Sequence, residues 1–549
     1  MKTGGQLIVD ALVANGVKRV ACVPGESYLA VLDALHDTNV DVIACRQEGG
    51  AAFMAEAQGK LTGRPGICFV TRGPGATNAS IGLHTAFQDS TPMILFIGQV
   101  ASDQRDREAF QEVDYRRAFT EVAKWVAEID DARRIPEFIT RAFAVATSGR
   151  PGPVVLALPE DMLTDEVEAV APQAYMPVEA HPGRKQVEEL AGLLEKAERP
   201  LVILGGTRWS DESVAGITAF AERWSLPVAC SFRRQMLFDH QHPNYAGDSG
   251  IGINPTLGKE IREADLIVLL GGRYSEMPSS TYSLIKSPYP QQKLVHVYPD
   301  PSELGRVYRP DLAICAAPDD FVAALEGLAP KSAPRWAART AAMHDAYLTW
   351  STPPMAGPGN VQMGPIMAWL EENTAEDTIF TNGAGNYATW VHRFHRFRRF
   401  GTQAAPTSGS MGYGLPAAVA AKQLHPEREV ICFAGDGCFM MHGQEFATAV
   451  RYQLPLITVV VNNGIYGTIR MHQEREYPGR VSATDLTNPD FAALAVAYGG
   501  HGETVEKTED FAPAFLRARA SGKPAIIEVK LDPEAITPTR TLSDIRSGK

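Results

Sequence analysis

Short apolar runs rich in β-branched residues alternate with amphipathic stretches along most of the chain, and this alternation predicts parallel α/β sheets. A first group of strand-like runs lies at 19–23, 41–45, 66–71, 93–97 and 153–158, and a second at 201–204, 227–230, 266–270 and 294–297. A third lies at 378–381, 429–434, 457–461 and 525–529. Two stretches break the rhythm: 166–184, with several prolines and little periodicity, and the Pro- and Gly-rich 352–359. The pattern predicts an α/β protein of three consecutive doubly wound parallel-sheet domains, over 1–165, 185–328 and 360–549.

Composition narrows the picture. At 549 residues, 45% hydrophobic and 21% charged, the chain exceeds one hydrophobic core and has a globular balance. The net charge of -12 is spread along the chain, which argues against a nucleic-acid partner. Seven cysteines form no CxxC pair, and several sit in apolar runs such as Ile67-Cys68-Phe69-Val70, so they read as reduced core residues. No apolar stretch reaches the ~20 residues of a membrane span, and the N-terminus lacks a signal-peptide core. The expectation is a cytoplasmic protein with no membrane partner.

The chemistry concentrates in the third segment. The apolar strand ending in Ala434-Gly435-Asp436-Gly437 is followed by a helix expected over 443–452 and a second strand closing on Asn462-Asn463. Consecutive parallel strands open on one sheet edge, where open α/β folds bind ligands. Asp436 offers a carboxylate and Asn463 an amide oxygen, hard donors suited to Mg²⁺ beside ligand phosphates, and the glycines let a diphosphate approach the backbone. Counted inclusively, Gly435 to Asn463 is 29 residues.

In this spacing the chain resembles the thiamine-diphosphate-dependent enzymes, and the similarity runs along essentially its whole length, nearest to the acetolactate synthase, pyruvate oxidase and benzaldehyde lyase branch. The resemblance makes the first domain aminopyrimidine-binding and the third diphosphate- and Mg²⁺-binding. It implies a metal shell of Asp436, Asn463 and the carbonyl of Ile465. It also implies a cofactor set of Pro24, Glu48, Asn78, Gly385, Asn386, Tyr387, Gly409, Met411, Gly435, Asp436, Gly437, Cys438, Asn463, Ile465 and Gly467.

Arg46-Gln47-Glu48-Gly49-Gly50-Ala51-Ala52 matches the frame of the family's catalytic glutamate. The cofactor needs a carboxylic acid against its aminopyrimidine, so that the ring becomes the base for the thiazolium carbon, and an acid in an apolar pocket can share that proton. By the same resemblance, Gly409 would hold the amine through its carbonyl and Met411 would bend the cofactor into a V. Because the family's glutamate and metal motif come from different subunits, a homodimer or homotetramer with active sites at the subunit interface is implied.

Thr71-Arg72-Gly73-Pro74-Gly75-Ala76-Thr77-Asn78 and Phe110-Gln111-Glu112 look like acetolactate synthase segments, which makes Gln111 a substrate-side candidate. Four segments depart from that pattern. Related synthases usually have Gln-His where Asn386 and Tyr387 stand, and tryptophan where His472 stands. Flavin-bearing relatives tend to show Arg-Phe-Asp-Asp-Arg where this chain keeps only Arg273, so FAD is an alternative rather than an expectation. Glu26 follows Pro24-Gly25 where those synthases have glycine and simple decarboxylases an aspartate; a proton relayed by Glu26 after CO₂ leaves would favour aldehyde release.

The resemblance implies a small 2-oxo acid substrate and carboligation of the acetolactate synthase kind. Alternatives are a 2-oxo acid decarboxylase and a flavin-dependent oxidase. A non-enzymatic regulatory subunit would have lost Glu48 or the metal motif, and both are present. The basic run 392–399 reads as a solvated or interface face.

Overall fold

The computed structural model describes residues 1–548; Lys549, the end of the third predicted segment, lies outside the described residues. The three groups of apolar runs become three six-stranded sheets in which every neighbouring pair is parallel. Strands such as Pro153–Pro159 and Leu266–Leu270 are buried at every position, as helices on both faces of a parallel sheet require.

In the first sheet the order is Asp41–Ala44, Arg19–Cys22, Gly66–Val70, Met93–Gln99, Pro153–Pro159 and Trp125–Glu128. The third repeats it with Gln403–Ala404, Ile379–Asn382, Val430–Gly435, Ile457–Asn462, Ala525–Lys530 and His501–Val505. The middle sheet runs Tyr245–Ser249, Val228–Ser231, Pro200–Leu204, Leu266–Leu270, Lys293–Tyr298 and Leu312–Cys315. In each sheet the winding reverses beside the first strand in sequence, and the loops leaving the carboxyl ends there diverge to open a crevice.

The first and third domains share one hydrophobic core. Helix Glu48–Thr62 is buried from Gly49 through Lys60, and its small residues let helices Gly73–Asp89 and Gly414–Leu424 pack closely against it. A Cβ on Gly82 would fall 2.4 Å from the Cβ of Ala52, so no larger residue fits that crossing. Phe53 meets Tyr413 edge-on at 5.3 Å between ring centres.

Polar groups cross the same joint. Lys60 pairs with Glu56 at 3.2 Å and with Asp89, while Tyr413 donates to Glu56 at 2.6 Å. Asp89 accepts the backbone N–H groups of Thr407 and Ser408 at 3.0 and 3.1 Å. Burial acts to raise the pKa of Asp89, but Lys60, the Thr407 hydroxyl and Arg234 together hold the carboxyl below its usual value. Removing one member of such a set costs about 3–5 kcal/mol, because a buried charge is left unmatched.

Two expectations are corrected. The helix expected over 443–452 starts earlier: Asp436–His442 is helical directly off the strand, a 3₁₀ turn covers Gly443–Glu445, and Phe446–Arg451 follows. Asp436 thus sits at a helix N-terminus, where the dipole favours an acid. The run 392–399 is not a solvated face. Helix Ala388–Phe394 ends within it, His395 and Phe397 are buried, and Arg398 pairs with Asp239 and Glu376 at 3.1 and 2.7 Å. All seven cysteines are free, and no helix among the described residues is long and apolar enough to cross a membrane.

Candidate functional site

At the carboxyl edge of the first sheet, Glu48 opens helix Glu48–Thr62. The Gln47 side chain caps that helix, its oxygen accepting the N–H groups of Gly49 and Gly50 at 2.6 and 3.1 Å. Asn78 Nδ2 donates to Glu48 Oε2 at 2.9 Å. Glu26 stands exposed after the first strand, 3.6 Å from Arg72, and Pro24 precedes a glycine whose Cβ would lie 2.5 Å from that of Thr71. Gln111 has a left-handed backbone (φ +65°), its carbonyl accepts the N–H of Gly73 at 3.0 Å, and its side-chain oxygen is buried without a partner. Pro24, Glu26, Glu48, Asn78 and Gln111 therefore gather around the segment 71–78.

The third domain holds the turn that presents Glu48. Glu445 Oε1 accepts the N–H groups of Arg46 and Gln47, each at 3.0 Å, and Oε2 accepts the Thr448 hydroxyl at 2.6 Å. His442 Nε2 lies 3.2 Å from Gln47 Oε1. That oxygen already accepts two backbone N–H groups, so the ring nitrogen must donate. Burial pushes the pKa of Glu445 up and that of His442 down to about 4, leaving the imidazole neutral.

A cleft of about 1180 Å³ opens where the crevices of the middle and third domains meet. Gly385, Asn386, Tyr387, Gly409, Met411, Gly435, Asp436, Gly437, Cys438, Asn463, Ile465 and Gly467 all line it. Asp436 Oδ1 accepts the Gly437 N–H at 2.9 Å; Oδ2 accepts the Gly464 N–H at 2.9 Å and Asn488 Nδ2 at 2.7 Å. Burial raises the pKa of Asp436, a penalty that a bound cation would offset. Asn463 Oδ1 accepts the Ile465 N–H at 3.3 Å.

The residues present fit a divalent cation with a diphosphate. Asp436 and Asn463 supply hard oxygens, fewer than a protein-only metal cage needs, which suits Mg²⁺ that keeps phosphate or water ligands. Among the described residues no three His, Cys, Asp or Glu side chains cluster to hold a metal. A Cβ on Gly435 would fall 2.8 Å from the Tyr387 ring, and one on Gly437 2.5 Å from the Tyr466 ring, so the wall there stays bare backbone. Gly409 is left-handed (φ +70°) with nothing within 4 Å of where a Cβ would be, while Met411 packs against the apolar cluster of the domain.

The side chains of Asn386 and Tyr387 are engaged by the protein itself. Asn386 accepts from the Thr468 hydroxyl at 2.9 Å and donates to the Ile536 carbonyl at 3.2 Å. The Tyr387 hydroxyl accepts the Gly383 N–H at 3.1 Å and donates to Cys438 Sγ at 3.2 Å. Arg273 also lines the cleft, and its guanidinium donates to the Gln88 carbonyl at 2.6 Å.

None of Pro24, Glu26, Glu48, Asn78 and Gln111 lines this cleft. Helix Gly73–Asp89 borders the first-domain group at its start and the cleft at its end, where Asp89 and Ser90 form part of the wall; seventeen residues span about 25 Å. Sequence reasoning missed Asn488 and Glu445. An Asn-Pro pair in a loop and an acid amid an amphipathic helix are commonplace, and neither carries a signal of its own.

Three sequence models of the thiamine pyrophosphate enzyme family match the chain: its N-terminal TPP binding domain over residues 2–118, its central domain over 187–325 and its C-terminal TPP binding domain over 383–529. The chain is 31% identical to the acetolactate synthase isozyme 2 large subunit of Escherichia coli (strain K12), over 96% of this chain and 95% of that protein. It is 30% identical to a probable acetolactate synthase large subunit of Methanocaldococcus jannaschii, over 97% and 93%. It is 32% identical to the acetolactate synthase large subunit of Parasynechococcus marenigrum, over 96% and 87%.

Proposed function

The chain belongs to the thiamine pyrophosphate enzyme family, and on that premise we propose that it is an acetolactate-synthase-like enzyme using thiamine diphosphate and Mg²⁺. It decarboxylates a 2-oxo acid and transfers the acyl unit to a carbonyl acceptor. The observation that carries this reading is the cleft wall on which Asp436 and Asn463 meet beside Gly435 and Gly437. Asp436, Asn463 and the Ile465 carbonyl hold the metal, and the bare backbone around Gly385, Gly435 and Gly437 takes the phosphates. Gly409 and Met411 orient the rings. When bound, thiamine diphosphate supplies an electron sink for the bond that breaks beside the keto group.

Glu48 holds and moves the proton at the aminopyrimidine nitrogen, with Asn78 fixing its carboxylate. Since the Glu48 group and the cleft do not share a wall within one chain, two chains complete each site, in a homodimer or a dimer of dimers. The exposed apolar side chains of Ile81, on the Asn78 helix, and of Met440 and Met441, on the Asp436 helix, favour this, because pairing would remove them from water. Gln111 and Glu26 then face the reacting end of the substrate. The seven unpaired cysteines favour the cytoplasm. No step is assigned to FAD.

Calorimetry with thiamine diphosphate and Mg²⁺, followed by a panel of 2-oxo acids with and without aldehyde acceptors, tests the proposal. Uptake of the cofactor, CO₂ release and a new carbon–carbon bond are expected. Free aldehyde as the sole product would shift the assignment to a decarboxylase, the reading that the exposed Glu26 supports. Failure to take up the cofactor would end both.

A further inference from the structure

Two arginines on the inner wall of the cleft feel the charge of Asp89 but form no ion pair of their own among the described residues. Arg233 and Arg234 follow strand Val228–Ser231 of the middle domain, flanked by Phe232 and by Met236, Leu237 and Phe238. They are 6% and 5% exposed, and both line the cleft. Arg233 donates to the Pro406 carbonyl and lies 4.9 Å over the Phe232 ring. Its Nε, and Nη2 of Arg234, are buried without a hydrogen-bond partner, and neither guanidinium forms an ion pair among the described residues. The Arg233 backbone is left-handed (φ +57°), a conformation that a residue other than glycine keeps only where its surroundings impose it.

The charge nearby is already committed. Lys60 faces both Glu56 and Asp89, and Asp89 also binds Thr407 and Ser408. With the two arginines added, this buried set carries one positive charge in excess. Asp248, another carboxyl on the wall, is pushed up to about 7 by burial, so at neutral pH it is only partly charged. A buried guanidinium without an anion is costly, and a carboxylate matches its planar fork.

We infer that Arg233 and Arg234 bind a substrate carboxylate that survives the reaction, either the distal group of a dicarboxylic 2-oxo acid donor or the carboxylate of a 2-oxo acid acceptor. This rests on the proposed function: Arg233 supports Pro406, three residues before Gly409, on the same wall as Met411. The carboxylate lost as CO₂ is the wrong occupant. Guanidinium pairing stabilises that group as an anion and not as neutral CO₂, which would raise the barrier to its departure.

The test is calorimetric titration of the holoenzyme, and of the protein freed of cofactor, with glutarate, propanoate and inorganic phosphate. Glutarate or propanoate should bind the wild type, and at least about tenfold more weakly to Arg233→Met and Arg234→Met, given the strength of charged hydrogen bonds. Arg234→Met leaves the Arg233–Pro406 bond in place and so separates charge from loop support. A rise in KM for 2-oxoglutarate as donor would assign the dicarboxylic source, and a rise confined to a 2-oxo acid acceptor the other. Unchanged carboxylate binding in Arg234→Met, or phosphate bound as tightly as either carboxylate, overturns the inference. Glu48→Gln separates the two readings: it should bind the probes like wild type while losing turnover. Full turnover in Glu48→Gln would remove the proposed function and leave the anion site standing.

Discussion

The carboxyl edges of the first and third sheets share one strand order but end in opposite states. Around Asp436 both carboxylate oxygens are engaged: Gly437, Gly464 and Asn488 hold the carboxylate, and Asn488 in turn holds Asn462 at 3.0 Å. Around Glu48, Asn78 is exposed, Glu26 is exposed and the Gln111 amide oxygen has no partner. The topology supplies a crevice in both places. The middle domain closes over the third to form the cleft, whereas the first-domain group lies outside that cleft.

The largest expected effect probes that asymmetry directly. Glu48→Gln should slow turnover by at least ~10²-fold, the usual scale for lost proton transfer, and Asp436→Ala should also be inactive. Mixed and reassociated, the two inactive variants should recover about a quarter of wild-type activity, since half of the pairs are mixed and each of these has one intact site. A mixture as dead as its components would mean that both groups serve the same chain, and the comparison would collapse.

Next in size is the bracket between the edges. Glu445→Ala leaves the Arg46 and Gln47 N–H groups unmatched and should lower unfolding stability by about 2 kcal/mol, with turnover falling alongside. Glu445→Gln, still an acceptor, should keep most of both in denaturant titration and rate assays. Equal damage from Gln and Ala would show that charge rather than geometry matters there. The smallest effect belongs to the finished edge. Asn488→Ala should weaken Mg²⁺ affinity about tenfold, the lower end for a residue that orients a metal ligand, in a magnesium titration of activity at saturating cofactor.

Every central strand was legible as an apolar run. The five strands of the six-stranded sheets that were not, Trp125–Glu128, Tyr245–Ser249, Leu312–Cys315, Gln403–Ala404 and His501–Val505, all lie at sheet edges. An edge strand has one neighbour and a wetter face, so Leu312–Cys315 alternates buried and accessible positions and His501–Val505 buries only its last residue. Gln403–Ala404 is two residues long, below what any periodicity resolves. Tyr245–Ser249 is well buried but holds a left-handed Gly247, which reads as a turn. The cleft residues were legible because Gly-Asp-Gly and Asn-Asn are local in sequence. Arg233 reaches the cleft wall through a fold contact with Pro406, 173 residues away, and only the presence of Arg233 and Arg234 beside apolar residues hinted at either.

The buried Lys60–Glu56–Asp89 set also bears on building chimeras. All three charges belong to the first domain, but the groups that quiet them, Tyr413, Thr407 and Ser408, belong to the third. A hybrid that grafts a foreign third domain onto this first one inherits the charges without their partners unless it also imports a hydroxyl at 413 and the Thr407-Ser408 turn. The two domains are exchangeable only as a matched pair.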